Sequence, residues 1–470
     1  MASPMVTPTR RGMFLTADGR NLVLTFALVS SLFLLWGFCN GLIDVMDKHF
    51  QDELSLSKAQ SAWVQFAHYL GYFLMSIPAG WLASRIGYKG GIIAGLSIVA
   101  VGGLWFIPAT ALNNLVPSGA ISAQGAFVAF LAGVCIIATG LTFLETVANP
   151  YTTVLGDRRY AATRINLAQS LNGLGWIFGP VVGSIFFYSV DASGHRTGSQ
   201  TLYIPYAGIA AGVLILAVVF YFADVPDIRV ENESDTSSSG FSGSRSFWSQ
   251  PHFAGAVMAQ FFYVAAQAGI FSFFINYITA ETPPIPRSWE SAMGTLSSHA
   301  GLLSNWLQGW LVAGRTGALG ISDKGASNLA SVGFLFFLAG RFSGAMLLKK
   351  IAAHRTLGIY AAANVAATLL VFLKLGWISV ACVFLSYFFM SIMFPTIFAL
   401  GIFGLRAQAK RASSYIVMAI VGGAVLPKLM GYVADRYDMS RGFAVPMFCF
   451  ALVAAYGFCW PRLSNQTGMR

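Results

Sequence analysis

Glu145 is an acid inside an apolar run, ATGLTFLETVANPYTTVLG over residues 138–156. A charge at the centre of a bilayer costs roughly 2.5 to 3.5 kcal/mol on insertion scales. A carboxyl kept there points to proton carrying or solute binding, against the plainer reading of a structural group satisfied by a neighbouring helix. Its neighbours are polar at helical spacing: Thr142, Glu145, Asn149 and Thr152 fall on one face. Trp36, Asn40 and Asp44 form the same kind of stripe, as do Asn166, Gln169 and Asn172, and then Gln260, Tyr263 and Gln267. Amides on such stripes either bond a polar solute or join helix to helix, and both readings are open at this point.

These stripes need membrane helices to carry them. The chain has 470 residues, of which 56% are hydrophobic and 10% charged, far more apolar surface than a soluble core of this length can bury. It reads as an all-α polytopic membrane protein. The net charge of +11 could suggest nucleic acid, but the basic residues sit in short clusters between apolar runs, as topology signals do. No nucleic-acid partner is expected. The five cysteines lie inside apolar stretches without metal-type spacing and read as packing residues. No nucleophile–base pair suggests an enzyme, and no cofactor is expected. The run beginning at Asn21 passes Trp36 without an A-x-A-like cleavage site, so a signal peptide is not expected.

Apolar stretches long enough to cross about 30 Å of hydrocarbon recur near 22–47, 60–84, 90–110, 125–153, 165–189 and 202–222, and again near 252–279, 326–348, 356–374, 376–404, 412–434 and 442–461. We number these spans 1 to 12. The stretch 224–251 is acidic and then Ser/Gly-rich, a flexible linker by composition. It separates an N-terminal six-helix bundle, 22–223, from a C-terminal one, 252–461, with tails at 1–21 and 462–470 and an outer insertion at 281–325. Eighteen of the 29 basic residues fall on the side of the termini, which predicts a multi-pass protein of the cell (inner) membrane with both termini cytoplasmic.

The halves repeat. In span 4, Pro150 precedes Gly156 by six residues; in span 10, Pro395 precedes Gly401 by six. Arg164, Gly175 and Pro180 of span 5 share their offsets with Arg411, Gly422 and Pro427 of span 11. Met390 stands where the repeat puts Glu145. Transporters commonly place their site at such a repeat interface, near the membrane midplane.

The motif GWLASRIGYK at 80–89 resembles the loop signature of the major facilitator superfamily, with Ser84 where an aspartate is common. Closer resemblance is to the L-fucose permease branch of proton-coupled sugar symporters, carried by LWGFCNGLIDV at 35–45, GLTFLETVANPYTTVLG at 140–156, RINLAQSLNGLG at 164–175, GRFSGAMLL at 340–348, SIMFPTIFALGI at 391–402 and SSYIVMAIVGGAVLPKLMGYVAD at 413–435. The resemblance implies twelve transmembrane helices in two pseudo-symmetric six-helix bundles, alternating access, and aldose uptake driven by a proton gradient. It carries the coupling acids onto Asp44 and Glu145, and a sugar-bonding glutamine onto Gln169. The stripes suit a sugar, whose hydroxyls both donate and accept, as amides do. Trp36, Asn40, Glu145, Asn149, Gln169, Asn172, Tyr263, Gln267 and His68 are the candidate sugar contacts, with the Trp36 indole able to stack on a pyranose face.

Gly41 and Ile43 depart from the asparagines that the resemblance leads one to expect, so the sugar contacts on span 1 must differ. His68 binds sugar or titrates, or else is a packing residue; Lys428 is unusual in span 11 and can snorkel outward. The insertion, with its apolar patch LLSNWLQGWLV at 302–312, is a surface helix or a tolerated addition. The expected activity is uptake of an aldohexose, deoxyhexose or amino sugar by a monomer, coupled to protons with sodium left open. The alternative is a proton-driven exporter, because residues 175–183 match much of an antiporter motif, with Asn166 and Ser184 where that motif has glycine.

Overall fold

The computed structural model describes residues 13–15, 20–156, 161–188, 201–225, 247–286, 288–291, 294–295, 308–313, 318–348, 350–405 and 409–464. Most of the expected linker, most of both tails and much of the insertion lie outside these residues. The twelve predicted spans are helices. Span 1 is Val23–Glu53, six residues longer at its end than the apolar run. Spans 2 and 3 form one stretch, Trp63–Asn113, divided at Gly87. There φ is +74° and ψ is 177°, a backbone geometry that only glycine adopts cheaply. Lys89, just beyond it, ties this corner to the end of span 6 through the Ala223 carbonyl at 2.9 Å.

Spans 4, 5 and 6 are Ala123–Val154, Ala161–Phe186 and Tyr203–Phe222. Span 7 is two pieces, Pro251–Ser272 and Phe274–Glu281, joined at Phe273. Spans 8 and 9 are Asp323–Leu347 and Ala353–Phe372. Span 10 is also two pieces, Trp377–Met390 and Met393–Gly401. Proline explains that break. Pro395 has no N–H to give the Ser391 carbonyl four residues back, and its ring crowds that carbonyl. Span 11 runs from Ala409–Met418 through a 3₁₀ turn, Ala419–Val421, into Gly422–Arg436, and span 12 is Ala444–Leu463. Nine of the described helices are both long and apolar enough to cross a membrane. Span 2 is not among them, nor are spans 5 and 8, which carry Gln169 with Asn172 and Arg341 respectively.

The repeat is visible in packing. Span 5 lies on span 1 through Gly175, where an added Cβ would run into the Leu34 carbonyl and come within 2.6 Å of the Phe38 nitrogen. Span 11 lies on span 7 in the matching way through Gly422, whose Cβ would run into the Phe261 carbonyl. Side chains such as Leu24 and Phe222 are 72% and 80% exposed, which suits lipid-facing positions. Within the insertion, Leu311–Ala313 pairs antiparallel with Leu319–Ile321. The C-terminal end of the 302–312 patch is therefore strand, which corrects the surface-helix reading there; 302–307 lie outside the described residues.

Candidate functional site

Glu145 lies in span 4, closer to the face of the molecule that carries the termini. With Leu32, Phe33 and Trp36 of span 1 and Leu144 and Ala148 of its own helix, it lines a narrow, mostly apolar seam between the two spans that is too tight in this state to admit water. Among the described residues its carboxyl makes no hydrogen bond. The Trp36 indole donates to the Tyr72 hydroxyl of span 2 at 2.6 Å, which fixes the ring in place at the seam. Tyr72 was not among the sequence candidates, although it lies in the VQFAHYLGYF run at 64–73 that drew attention to His68. His68 is buried, its Nδ1 has no partner, and its ring centroid is 5.0 Å from those of both Tyr69 and Tyr72.

The amides divide by what they already hold. Gln169 Nε2 donates to Asn149 Oδ1 at 3.2 Å, which links spans 5 and 4 beside the acid stripe. Both residues are half-buried, so each keeps polar capacity for a solute. Asn172 is buried and donates to the Phe33 carbonyl at 3.2 Å, holding span 5 to span 1. The Thr142 and Thr152 hydroxyls return to carbonyls of their own helix at 2.8 Å each. Asn40 is buried with its Oδ1 unpartnered.

Asp44 is apart from this group. It stands eight residues beyond Trp36, about 12 Å along the helix axis, toward the face opposite the termini. Its Oδ1 accepts from Gln65 Nε2 at 3.1 Å and its Oδ2 has no partner. One turn further on, Asp47 is completely buried. Sequence reading passed over Asp47 because the apolar run ends at that residue, while the helix itself continues to Glu53.

The C-terminal half contributes a different chemistry. The Tyr263 hydroxyl donates to the Met390 carbonyl at 3.1 Å, and Arg341 Nε donates to the Ser391 carbonyl at 3.3 Å. These are the carbonyls that the break in span 10 leaves without helical partners, and a membrane interior offers no water to satisfy them. Arg341 also reaches across to the N-terminal half, where its Nη1 is 3.4 Å from the Gln169 carbonyl. The pattern of Pro395 with a basic residue in span 8 was present in the sequence, but nothing in spacing alone joined them. Gln267 is half-buried, one turn from Tyr263, and Gln260 is fully buried with both amide atoms unpartnered.

The halves meet firmly at the face opposite the termini. Gln51 of span 1 exchanges amide bonds with Asn276 in the second piece of span 7. The Ser327 and Ser331 hydroxyls of span 8 donate to the Pro180 and Ile177 carbonyls of span 5 at 2.8 and 2.7 Å. The Asp435 carboxylate accepts from the Lys58 and Ala59 amides at 3.0 and 2.9 Å. Lys428 is exposed, yet its ammonium lies 3.7 Å from the centroid of Trp63 in the other half, so it closes this face as well as reaching outward.

The family model described as Major Facilitator Superfamily matches residues 24–318. The chain is 33% identical over 468 residues to the L-fucose-proton symporter of Escherichia coli (strain K12), covering 96% of this chain and 95% of the relative. It is 29% identical to the Glucose/galactose transporter of Brucella abortus (strain 2308), covering 94% and 95%. Among solved structures it is similar to a major facilitator transporter, FucP, in the outward conformation, with 32% identity, a TM-score of 0.64 and coverage of 94% of this chain and 99% of that one.

Proposed function

The chain belongs to the major facilitator superfamily, in the branch of the L-fucose-proton symporter, and on that premise we propose that it takes a monosaccharide into the cell together with a proton. The observation that carries this reading is the placing of Glu145, an acid without a hydrogen bond among the described residues, beside the fixed ring of Trp36 in the seam between spans 1 and 4. A sugar needs an apolar plate for its ring face and amides for its hydroxyls. Trp36 offers the first, and Gln169 with Asn149 offers the second, next to the acid. Asn40, Asn172, Tyr263, Gln267 and His68 complete the lining in this proposal.

In the proposed orientation the termini are cytoplasmic, so the face joined by Gln51, Asn276 and Asp435 is the outer one and the structure is closed to the outside. Asp44, nearer that face, takes the proton first. Glu145, nearer the cytoplasm, holds it while the sugar is bound. A neutral acid can sit among Leu32, Phe33 and Ala148 without an unpaired charge, so the loaded carrier can reorient, and exposure to the cytoplasm then releases the proton. Export, the other reading, drew on residues 175–183. Packing gives those glycines a sufficient reason, since Gly175 and Gly179 both lie against the span 1 backbone.

Purified protein in liposomes, given radiolabelled L-fucose, D-glucose and D-galactose with acid outside, tests the proposal. At least one sugar should accumulate against its gradient and run out when a protonophore is added. Accumulation that requires sodium and ignores the pH gradient would replace the coupling ion. Expulsion of a cationic drug with no uptake of any of these sugars would replace the function.

A further inference from the structure

Asp47 has no part in the cycle above. It lies one turn beyond Asp44 on span 1, is 0% exposed, and neither carboxylate oxygen is hydrogen-bonded. Asp44 Oδ2 is unpartnered too, and so is the Ser272 hydroxyl of span 7, which is also 0% exposed. Three residues apart on one helix, Asp44 and Asp47 share a face of span 1, and the fields of Ser272, Gln65 and Asp44 all reach the Asp47 carboxyl. Ser272 is the last residue before the joint at Phe273. Asp47 therefore faces span 7 where its second piece turns to cover span 1 and bond Gln51 through Asn276.

Among the described residues, no cation balances the pair. Lys48, the next residue, is 2.7 Å from Asp52 and 3.8 Å from Asp323 at the start of span 8. His49 turns to the Phe187 carbonyl at 3.0 Å. From span 2 the titratable neighbours of Asp44 are Tyr69 and then His68, whose ring packs on it, and from span 10 Tyr387. Two buried carboxylates on adjacent turns would each lack a counter-charge and would repel one another. A pair that holds a proton on Asp47 would not. Its O–H is a donor, and unpartnered acceptors are at hand in Asp44 Oδ2 and Ser272 Oγ. A metal ion fits less well, because Gln65 turns its NH₂ group toward Asp44 at 3.1 Å.

We propose that Asp47 is a second proton-carrying acid, so that the state closed on the face opposite the termini holds a proton on Asp47 besides the one that Asp44 passes to Glu145, and each transport cycle carries both. Each carboxylate takes a proton from outer water before the second piece of span 7 covers span 1; Asp47 later releases its proton by way of Asp44. The proposal rests on the proton-symport reading.

The test is the slope of accumulation against the pH gradient, in liposomes with the membrane potential held at zero. At steady state the logarithm of the sugar accumulation ratio rises with slope equal to the number of protons per sugar. With labelled L-fucose, D-glucose and D-galactose each assayed, the wild-type slope should be about two and that of Asp47→Asn about one, by mass action. Counterflow in the same liposomes reports whether the variant is folded. A wild-type slope of one overturns the second proton and leaves symport standing. A slope of two in Asp47→Asn overturns the assignment to Asp47. No accumulation of any sugar at any gradient overturns symport and the second proton with it. Independently of any sugar, the infrared carbonyl band of protonated carboxylic acids in the purified protein should lose one component in Asp47→Asn, and an unchanged band overturns the proposal.

Discussion

Span 4 and span 10 occupy matching places in the two halves, with their prolines and glycines in register, yet they differ at the position five residues before the proline. Span 4 has Glu145 there and is one continuous helix, Ala123–Val154. Span 10 has Met390 and breaks immediately afterwards, and its loose carbonyls are held by Tyr263 and Arg341. One half keeps an acid without a fixed partner, which is what a group that must gain and lose a proton requires. The other half sets Tyr263 and Arg341 on the loose carbonyls of its own broken helix. Pseudo-symmetry thus preserves the packing frame, while the side-chain chemistry divides into a half that keeps a buried acid, the proposed proton carrier, and a half that braces a broken helix.

The largest effect expected from breaking this contrast is at Glu145. Glu145→Gln fixes the neutral form and keeps hydrogen-bonding capacity, so gradient-driven accumulation should fall to background while energy-independent exchange of labelled for unlabelled sugar continues at a reduced rate. Glu145→Ala should lose more of both. Asp44→Asn should likewise abolish accumulation, since its buried carboxyl lies on the proposed proton route from the opposite face. Counterflow and gradient-driven uptake, measured side by side on the same preparations, check all three variants. Full accumulation by Glu145→Gln would return that residue to a structural role.

The packing frame itself can be broken symmetrically. Gly175→Ala and Gly422→Ala each drive a methyl group into the backbone of the facing helix, of span 1 and of span 7 respectively. Backbone cannot step aside as a side chain can, so each should destabilise the protein by about 1–3 kcal/mol, the usual penalty of overpacking. Equilibrium unfolding in detergent reads the loss. If only one of the two mattered, the repeat would be a likeness of sequence without a shared load.

How much of this was legible beforehand follows from what a linear pattern can carry. The twelve spans and the repeat could be read because hydrophobic length and residue offsets are local properties. The same holds for the resemblance, which pointed to Glu145, Asp44 and Gln169. The brace on span 10 could not be read, since it depends on Arg341 and Tyr263 arriving from two other spans at carbonyls freed by Pro395. Asp47 was hidden for a different reason: hydropathy ends span 1 at the point where the acid stands, although buried neighbours on spans 2 and 7 let the helix run on. The closed face was equally invisible, because Gln51 and Asn276 are 225 residues apart in the chain.

A smaller effect is expected at Gln169. Its amide bonds Asn149 and, in the proposed site, a sugar hydroxyl, so Gln169→Ala should weaken binding by about 1–3 kcal/mol, the penalty for leaving a buried partner unsatisfied. Titration of purified protein with the transported sugar measures it. Proton coupling should persist in the transport that remains, because the acids are untouched. An unchanged dissociation constant would make Gln169 a link between spans 5 and 4 and nothing more.

The smallest expected effect is the one that most sharpens the contrast between the halves. Tyr263→Phe deletes a single hydroxyl and keeps the ring beside Phe394. What is lost at once is the bond to the Met390 carbonyl at 3.1 Å, worth about 0.5–1.5 kcal/mol of stability for an ordinary hydrogen bond. The carbonyl it served belongs to Met390, which is fully buried at the end of a helical piece, so the upper part of that range is expected in unfolding measurements. The Tyr263 oxygen can still accept from a sugar hydroxyl while it donates to Met390, and the two roles separate by readout. If Tyr263 only braces the break, Tyr263→Phe lowers stability and leaves the sugar dissociation constant unchanged. If it also lines the site, as proposed, the dissociation constant rises several-fold in the same preparation. The second outcome would bring the C-terminal half into sugar recognition; the first would confine recognition to the half that holds Glu145.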